Sequence, residues 1–164
     1  MNHKYFSLIY LCVLGGLCFF AFGCGPKYPP GMPKLYPVKL TFTQEGKPLE
    51  LASVMLYPED SGMTWGVGGS TDNSGVVTLK THGEFNGAPA GKYKVCVRKF
   101  LMEGELPTLA NPGAPPPVDY ELVDQQYKQP NTTPLTIEIK AGSNSFEPFD
   151  LGEAIKERVK KPGA

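Results

Sequence analysis

Few side chains in this 164-residue chain have the chemistry that catalysis needs. Of its two histidines, His3 lies near the N-terminus and His82 lies in the middle of the chain. A nucleophilic serine or cysteine needs a histidine and an acid within hydrogen-bonding reach. No serine or cysteine has such partners in a recognisable motif. We therefore predict a protein that is not an enzyme, with no catalytic residue and no cofactor.

Oxygen-bearing side chains are concentrated in residues 71–75, Thr-Asp-Asn-Ser-Gly. A calcium loop of the EF-hand type needs ligands at alternate positions, a glycine at the sixth and a distal glutamate. Here the glycine, Gly75, comes too early and the ligands end with it. Asp and Asn also accept hydrogen bonds from nearby backbone N–H groups, and glycine adopts a positive φ without steric cost. The segment therefore predicts a hairpin turn and no metal site.

Trp65 is the only tryptophan and the candidate ligand-binding residue. An exposed indole ring would serve as a platform on which a sugar stacks. A packed ring would instead cover one end of a hydrophobic core. No second aromatic residue stands at a matching spacing, and this favours the packed alternative.

The first residues of the chain have the pattern of a secretory signal. Residues 5–22 are apolar or small except for Ser7, and positive charge precedes them at Lys4 and the amino terminus. We assign residues 1–23 to this signal. Its last residues, Ala-Phe-Gly, are followed by Cys24, and this ending resembles the lipobox of bacterial lipoproteins. In that family the cysteine receives a diacylglyceryl group and becomes the new N-terminus.

This resemblance implies that Cys24 is the lipidation site, carrying acyl chains such as palmitate, and that the chain is anchored to a membrane. The alternative is an uncleaved signal anchor, since the 18 residues 5–22 just span a bilayer core at ~1.5 Å per residue. Both interpretations place the rest of the chain outside the cytoplasm. With Cys12 and Cys18 in the signal, Cys96 is left without a disulfide partner. We expect it to be inert, and either exposed or covered by the loop that follows it.

Composition favours an all-β domain. The chain has 19 glycines and 17 prolines, which disfavour helix interiors and favour short strands and turns. It has 16 basic and 16 acidic residues without a basic cluster, so nucleic acid is not an expected partner. Residues 24–36 contain four prolines and predict an extended tether between the lipidated cysteine and the domain.

Residues 37–151 predict a β-sandwich, because apolar residues recur at every second position in several short runs. The side chains expected to point inward are Val38, Leu40, Phe42, Ala52, Val54, Leu56, Val77, Leu79, Tyr93, Val95, Val97, Leu135, Ile137 and Ile139.

Two parts of the chain lack this alternation. Residues 100–133 contain six prolines and predict a long irregular loop, in which 119–127 form two helical turns that pack Leu122 and Tyr127 on the sandwich. A ligand surface, if the protein has one, is expected in this loop. Residues 146–151 predict the last strand, and 152–164 predict a polar tail, either frayed or with a short helix at 153–161.

Several segments, in this order and spacing, resemble one family. They are residues 36–38 with 45–49, 71–75, 87–93, and 133–136 with 140–142. These segments are similar to those of small bacterial lipoproteins that carry a carboxypeptidase-regulatory-like domain. The resemblance implies a seven-stranded antiparallel Greek-key sandwich of transthyretin-like (prealbumin-like) topology. It also implies a non-catalytic extracytoplasmic module, and it brings no catalytic residues.

We therefore expect a membrane-anchored lipoprotein of the bacterial cell envelope. Its β-sandwich would be a structural or protein-binding module whose edge strands and loops contact another envelope protein. The alternative is a carbohydrate-binding module that holds a glycan with Trp65 and nearby loop aromatics.

Overall fold

The computed structural model describes residues 28–60, 62, 64–106, 109 and 111–159. Cys24 and the predicted signal lie outside these residues. The described residues divide into two units, one ending at Pro30 and one beginning at Gly31, and the second contains all of the strands. Within the described ranges, no helix has the length and apolar character to cross a membrane.

The described chain is all-β, as predicted. It contains short strands, one 3-10 helix at Gln125–Tyr127 and no α-helix. In chain order the strands are β1 (Leu35–Tyr36), β2 (Lys39–Gln44), β3 (Lys47–Pro48), β4 (Ser53–Pro58), β5 (Val67–Ser70), β6 (Val76–Thr78), β7 (Lys80–Thr81), β8 (Phe85–Asn86), β9 (Ala88–Pro89), β10 (Gly91–Arg98), β11 (Phe100–Glu103), β12 (Val118–Glu121), β13 (Thr136–Ile139), β14 (Phe149–Asp150) and β15 (Glu157–Arg158).

Two sheets enclose the core. The larger has the order β13-β10-β4-β5-β7-β8, and each of its pairs is antiparallel. The smaller has the order β14-β2-β3, with β6 also paired to β2. Buried side chains of both sheets form one hydrophobic cluster, as in a β-sandwich. A further pair, β1 with β9, joins the end of the predicted tether to the domain.

The predicted inward-facing residues are buried, with the exception of Leu135, which is half-buried at the edge of the cluster. Strand β4 shows the pattern clearly, because its exposed and buried positions alternate along its first five residues. Each fully buried aliphatic or aromatic side chain contributes roughly 1.5–3 kcal/mol to folding. The alternation therefore supplies the stability of the sandwich.

The last predicted strand is shorter than expected, and it is parallel to its neighbour, whereas an antiparallel sandwich was predicted. Of residues 146–151, only β14 is a strand, and it pairs with β2 in parallel, with Phe149 opposite Phe42. The reason is the path of the chain, which leaves β13 in the larger sheet and reaches the smaller sheet beside β2. Pro148 precedes the strand and has no N–H to donate, which limits the ladder.

The two helical turns predicted at 119–127 are wrong. Residues 118–121 form β12, which pairs with β11, and the 3-10 helix supplies a single turn. The backbone N–H and C=O groups of Asp119 and Tyr120 are satisfied across the strands instead of along a helix. The Asp124 side chain caps the short turn by accepting from the Gln126 N–H at 2.8 Å. Tyr127 does pack into the core, as predicted, and Leu122 is half-buried.

The C-terminal segment is neither a helix nor a frayed tail within the described residues. Strand β15 pairs with β12, and the Val159 N–H donates to the Asp119 carbonyl oxygen at 2.8 Å. We call the three strands β11, β12 and β15 the hairpin sheet. The long loop predicted at 100–133 therefore contributes two of its strands.

Candidate functional site

Strand β11 exposes large apolar side chains. All four of its residues are exposed, and the exposed fractions are 50% for Phe100, 38% for Leu101 and 55% for Met102. Further along the same connection, Leu106 and Leu109 are also exposed. We call these five residues the apolar edge. Exposed apolar side chains that lie close together mark interaction surfaces, and Phe100, Leu101 and Met102 follow one another along a single strand.

The backbone of β11 also has a free edge. Within the described residues β11 pairs with β12 alone, at the end of the order β11-β12-β15. The Leu122 N–H donates to the Lys99 carbonyl oxygen at 2.9 Å, so the polar backbone groups of Lys99 face β12. Such groups alternate in direction along an antiparallel strand. The N–H and C=O groups of Phe100 and Met102 therefore point away from β12, where another chain can bond to them.

An ionic cluster holds the base of the hairpin sheet. Arg98 Nη2 lies 2.6 Å from Glu121 Oε1, and Lys128 Nζ pairs with the second oxygen of Glu121. Glu157 Oε2 lies 4.0 Å from Lys128 Nζ. Glu121 is buried, and burial lowers the pKa of the Lys128 ammonium. These four residues are called the ionic clamp, and they join β10, β12, β15 and the 3-10 helix.

Hydrogen bonds and apolar packing complete this base. Gln44 Nε2 donates to the Leu122 carbonyl oxygen at 3.0 Å, and the Ala154 N–H donates to Glu45 Oε1 at 3.1 Å. Directly after β12, Val123 is fully buried in the core cluster. The hairpin sheet is thus fixed at its base while its outer strand stays exposed.

Trp65 is half-buried and lies away from the apolar edge. Its ring centroid is 5.0 Å from that of His82, with the planes inclined at 50°. The pairing of Leu56 with Val67 places Trp65 near the Pro58 end of β4. The hairpin sheet begins beyond the opposite end of β4, because Arg98 pairs with Ser53. At ~3.3 Å per residue these ends are roughly 17 Å apart, so Trp65 and the hairpin sheet lie at opposite ends of β4.

Residues 71–75 form a turn, as predicted, but the predicted hairpin is wrong, because β5 pairs with β4 and β7 while β6 pairs with β2. Asp72 Oδ1 accepts from the Ser74 N–H at 2.9 Å, the Ser74 hydroxyl at 2.6 Å and the Val76 N–H at 3.0 Å. These hydrogen bonds lower the pKa of the Asp72 carboxyl, and the bond from the Ser74 side chain contributes most. Gly75 has φ +75°, and a Cβ there would lie 2.4 Å from the Phe42 carbonyl oxygen. The Asp72 carboxylate therefore serves the backbone of its own turn, and the Thr71 hydroxyl bonds to the backbone of Leu49 and Ala52.

Cys96 was expected to be either exposed or covered, and it is covered. It is 3% exposed, and burial raises the pKa of its thiol. A protonated, covered thiol is a poor nucleophile. Cys24, the predicted lipidation site, lies outside the described residues.

A groove of the larger sheet is another place where a ligand could lie. This open groove of about 500 Å³ runs beside β13, lined among others by Thr136, Glu138, Lys140 and Phe146. The side-chain amide of Asn144, which also lines the groove, is hydrogen-bonded to the backbone of Lys140. Across the described ranges, no three His, Cys, Asp or Glu side chains converge as metal ligands would.

Sequence reasoning placed a ligand surface in residues 100–133 without identifying the residues that form it. The signal for them was the run Phe100-Leu101-Met102, which continues the apolar character of β10 but is bounded by Lys99 and Glu103. The chain matches no protein-family model, no curated protein and no solved structure.

Proposed function

We propose that this chain is a membrane-anchored extracytoplasmic lipoprotein whose β-sandwich is a non-catalytic protein-binding module. The observation that carries the proposal is the apolar edge. Its strand β11 has exposed apolar side chains and, on one edge, backbone N–H and C=O groups without a partner strand among the described residues, and the ionic clamp holds the base of its sheet. That combination fits the addition of a partner's strand, in which main-chain hydrogen bonds give affinity and side chains give specificity.

Two further parts of the proposal come from the sequence. The signal-like residues 1–23 and the lipobox-like ending at Cys24 support anchoring through a lipid. The family resemblance supports a seven-stranded Greek-key sandwich of transthyretin-like topology, and the two facing sheets are compatible with it. A lipid anchor confines the domain near a membrane surface, where an exposed binding strand meets neighbouring envelope proteins.

The anchor is tested by mass spectrometry of the mature protein and by incorporation of labelled palmitate. The expected mature chain begins at Cys24 and carries acyl mass, and Cys24→Ala abolishes labelling. A chain that begins at Met1 without acyl mass would contradict the lipoprotein assignment.

Protein binding is tested with a photo-crosslinking amino acid placed at single positions of the full-length chain in its native membrane. Position 101 is the test, and position 57 is the matched control, because Tyr57 is 42% exposed on the larger sheet and Leu101 is 38% exposed. We expect protein adducts from position 101 and far fewer from position 57. Equal or absent adducts would remove the support for a binding role of this strand.

A carbohydrate-binding function is the second candidate, because Trp65 keeps part of its surface exposed beside His82. It requires glycan-array binding by the full-length protein that Trp65→Ala abolishes and Phe100→Ala leaves unchanged. The distance between Trp65 and the apolar edge makes these two variants independent. Binding lost in neither variant, or the absence of any glycan signal, would eliminate this candidate.

A further inference from the structure

We infer that the partner of the apolar edge is a second copy of this chain, paired with it antiparallel through β11. The inference rests on the proposed function in one respect, that the apolar edge binds protein. It adds the identity of the partner and the register of the pairing. Leu101 of each copy lies opposite Leu101 of the other, on a twofold axis.

The backbone determines which registers are available. Phe100 and Met102 direct their N–H and C=O groups to the free edge, as the Leu122 to Lys99 hydrogen bond requires. An antiparallel partner must present its own outward-facing groups at the same positions. Pairing Phe100 with Met102 of the second copy uses all of these groups. The twofold axis repeats this pair, and each of the two pairs forms two backbone hydrogen bonds.

The side chains fit this same register. It places Lys99 opposite Glu103 of the second copy, and the twofold axis repeats this pair at the other end. Between the two ion pairs, Leu101 faces its counterpart, and on the other face of the strand Phe100 faces Met102. Residues 99–103, Lys-Phe-Leu-Met-Glu, are therefore complementary to themselves when read antiparallel. Opposite charges and apolar pairs placed directly across strands stabilise a sheet.

The neighbouring registers fit less well. A shift by two residues keeps the backbone groups facing each other but places Leu101 opposite either Lys99 or Glu103 of the second copy. Each of these shifts sets a charged group opposite an apolar one. The shift toward Lys99 leaves Lys99 and Glu103 apart. The shift toward Glu103 brings Lys99 opposite Glu105, which lies beyond the end of β11 and after Gly104, whose φ of +107° interrupts the extended strand. The charge pattern thus selects one register among those that the backbone allows.

The contacts within one copy leave these charges available. Lys99 makes no ion pair with any residue that the structure describes. Glu103 pairs with Lys156 at 2.6 Å, and both side chains are about half exposed, so Glu103 can approach a second cation. The pairing would join two hairpin sheets into one sheet of six strands. The free edge of β11 in each copy would then be paired. Association through this edge therefore stops at a dimer.

The first experiment is disulfide trapping in the full-length, membrane-anchored chain. In the inferred register Leu101 and its counterpart form a non-hydrogen-bonded pair with Cα atoms ~4.5 Å apart, within the range that a disulfide bridges. Leu101→Cys is expected to give a disulfide-linked dimer under mild oxidation. Tyr57→Cys is the control for random collision, since it is similarly exposed and has the same native cysteines. Equal dimer yields from the two variants would overturn the inference.

The second experiment reverses the charges. Lys99→Glu or Glu103→Lys alone creates two like-charge pairs in the dimer, and we expect the dissociation constant to rise roughly tenfold in each. Mixing the two variants restores opposite charges at both ends, so the mixed dimer is expected to regain the original affinity. Lys92→Glu, on an exposed residue of β10 away from the hairpin sheet, is expected to change nothing. Failure of the mixture to recover would overturn the register.

The outcomes separate this inference from the proposed function. If position 101 crosslinks to a different protein and never to a second copy, self-pairing is wrong and the protein-binding module stands. If position 101 crosslinks to no protein, both are wrong.

Discussion

Strands β10 and β11 are consecutive in the chain and opposite in character. Strand β10 lies between β13 and β4, is hydrogen-bonded on both edges and buries Tyr93, Val95 and Val97. Strand β11 starts two residues after β10 ends, is hydrogen-bonded on one edge and buries none of its side chains. Both are rich in apolar residues. Apolar character therefore places a strand in the core only where a second layer of structure covers it.

The two regions also differ in what holds them. The sandwich is held by apolar burial on both of its inner faces. The hairpin sheet is held at its base by the ionic clamp, by the hydrogen bond from Gln44 and by Val123 and Tyr127 in the core. None of the four side chains of its outer strand is buried in a single copy. A surface of this kind is stabilised when a partner covers it.

Matched aromatic truncations test this contrast most strongly. Phe42→Ala removes a fully buried ring from β2 and is expected to lower the free energy of unfolding by about 3–5 kcal/mol. Phe100→Ala removes a half-exposed ring from β11 that contacts the Arg98 guanidinium, 4.8 Å from the ring centroid, and is expected to lower it by about 1 kcal/mol. Urea unfolding of dilute protein measures both. Similar losses in the two variants would break the distinction between the regions.

The ionic clamp gives the next largest effect. Glu121→Ala leaves the Lys128 ammonium, whose side chain is only 11% exposed, without its closest partner, and we expect a loss of about 3 kcal/mol. Glu103→Ala removes a carboxylate whose partner Lys156 is half exposed, and we expect a loss below about 1 kcal/mol. Chemical denaturation of both variants checks the difference. A small effect of Glu121→Ala would mean that apolar packing alone holds the hairpin sheet.

Glycine substitutions compare the turns of the two regions. Gly75→Ala adds a Cβ 2.4 Å from a backbone oxygen of β2 at a positive φ, and we expect a loss of about 2 kcal/mol. Gly104→Ala in the hairpin sheet also has a positive φ, but its nearest contact is 3.2 Å, and we expect about 1 kcal/mol. Hydrogen exchange distinguishes where the loss falls. Gly75→Ala should reduce protection in β2 and β6, and Gly104→Ala only in β11 and β12.

The smallest predicted effect is the pH dependence of the Asp72 turn. Because hydrogen bonds lower the pKa of Asp72 in the folded state below 3.8, the carboxylate stabilises the fold at all pH values above 3.8. This contribution is lost as the pH falls through the lower folded pKa. The difference in stability between the natural chain and Asp72→Asn is therefore expected to shrink in acid. A difference that is constant with pH would show that the charge of Asp72 has no role.

The sequence predicted the sandwich because its signal is local. Alternating residues such as Val54 and Leu56 report one buried face within a few positions, and the turn at Asp72 is specified by its own side chains. The hairpin sheet has no such signal. Both faces of β11 are exposed, so its residues do not alternate, and β12 obtains its second partner from residues 157–158, far along the chain.

The candidate site was harder to predict for a related reason. The prolines of residues 100–133 indicated irregular structure, so strands β11 and β12 were not predicted. The residue type of Trp65 does not determine its position in space, so its distance from that loop could not be predicted. The burial of Val123 depends on the position of the hairpin sheet and could not be derived from its neighbours in sequence.

The N-terminal anchoring proposed above would give a mechanical role to strand β2. It is paired on both edges, with β3 and β6 on one side and β14 on the other, and it begins three residues after β1. A pulling force along the tether first peels the two-residue pairing of β1 with β9. It then acts along the axis of β2, where the hydrogen bonds on both edges must shear together. The domain would therefore lengthen slightly under load before its core is strained.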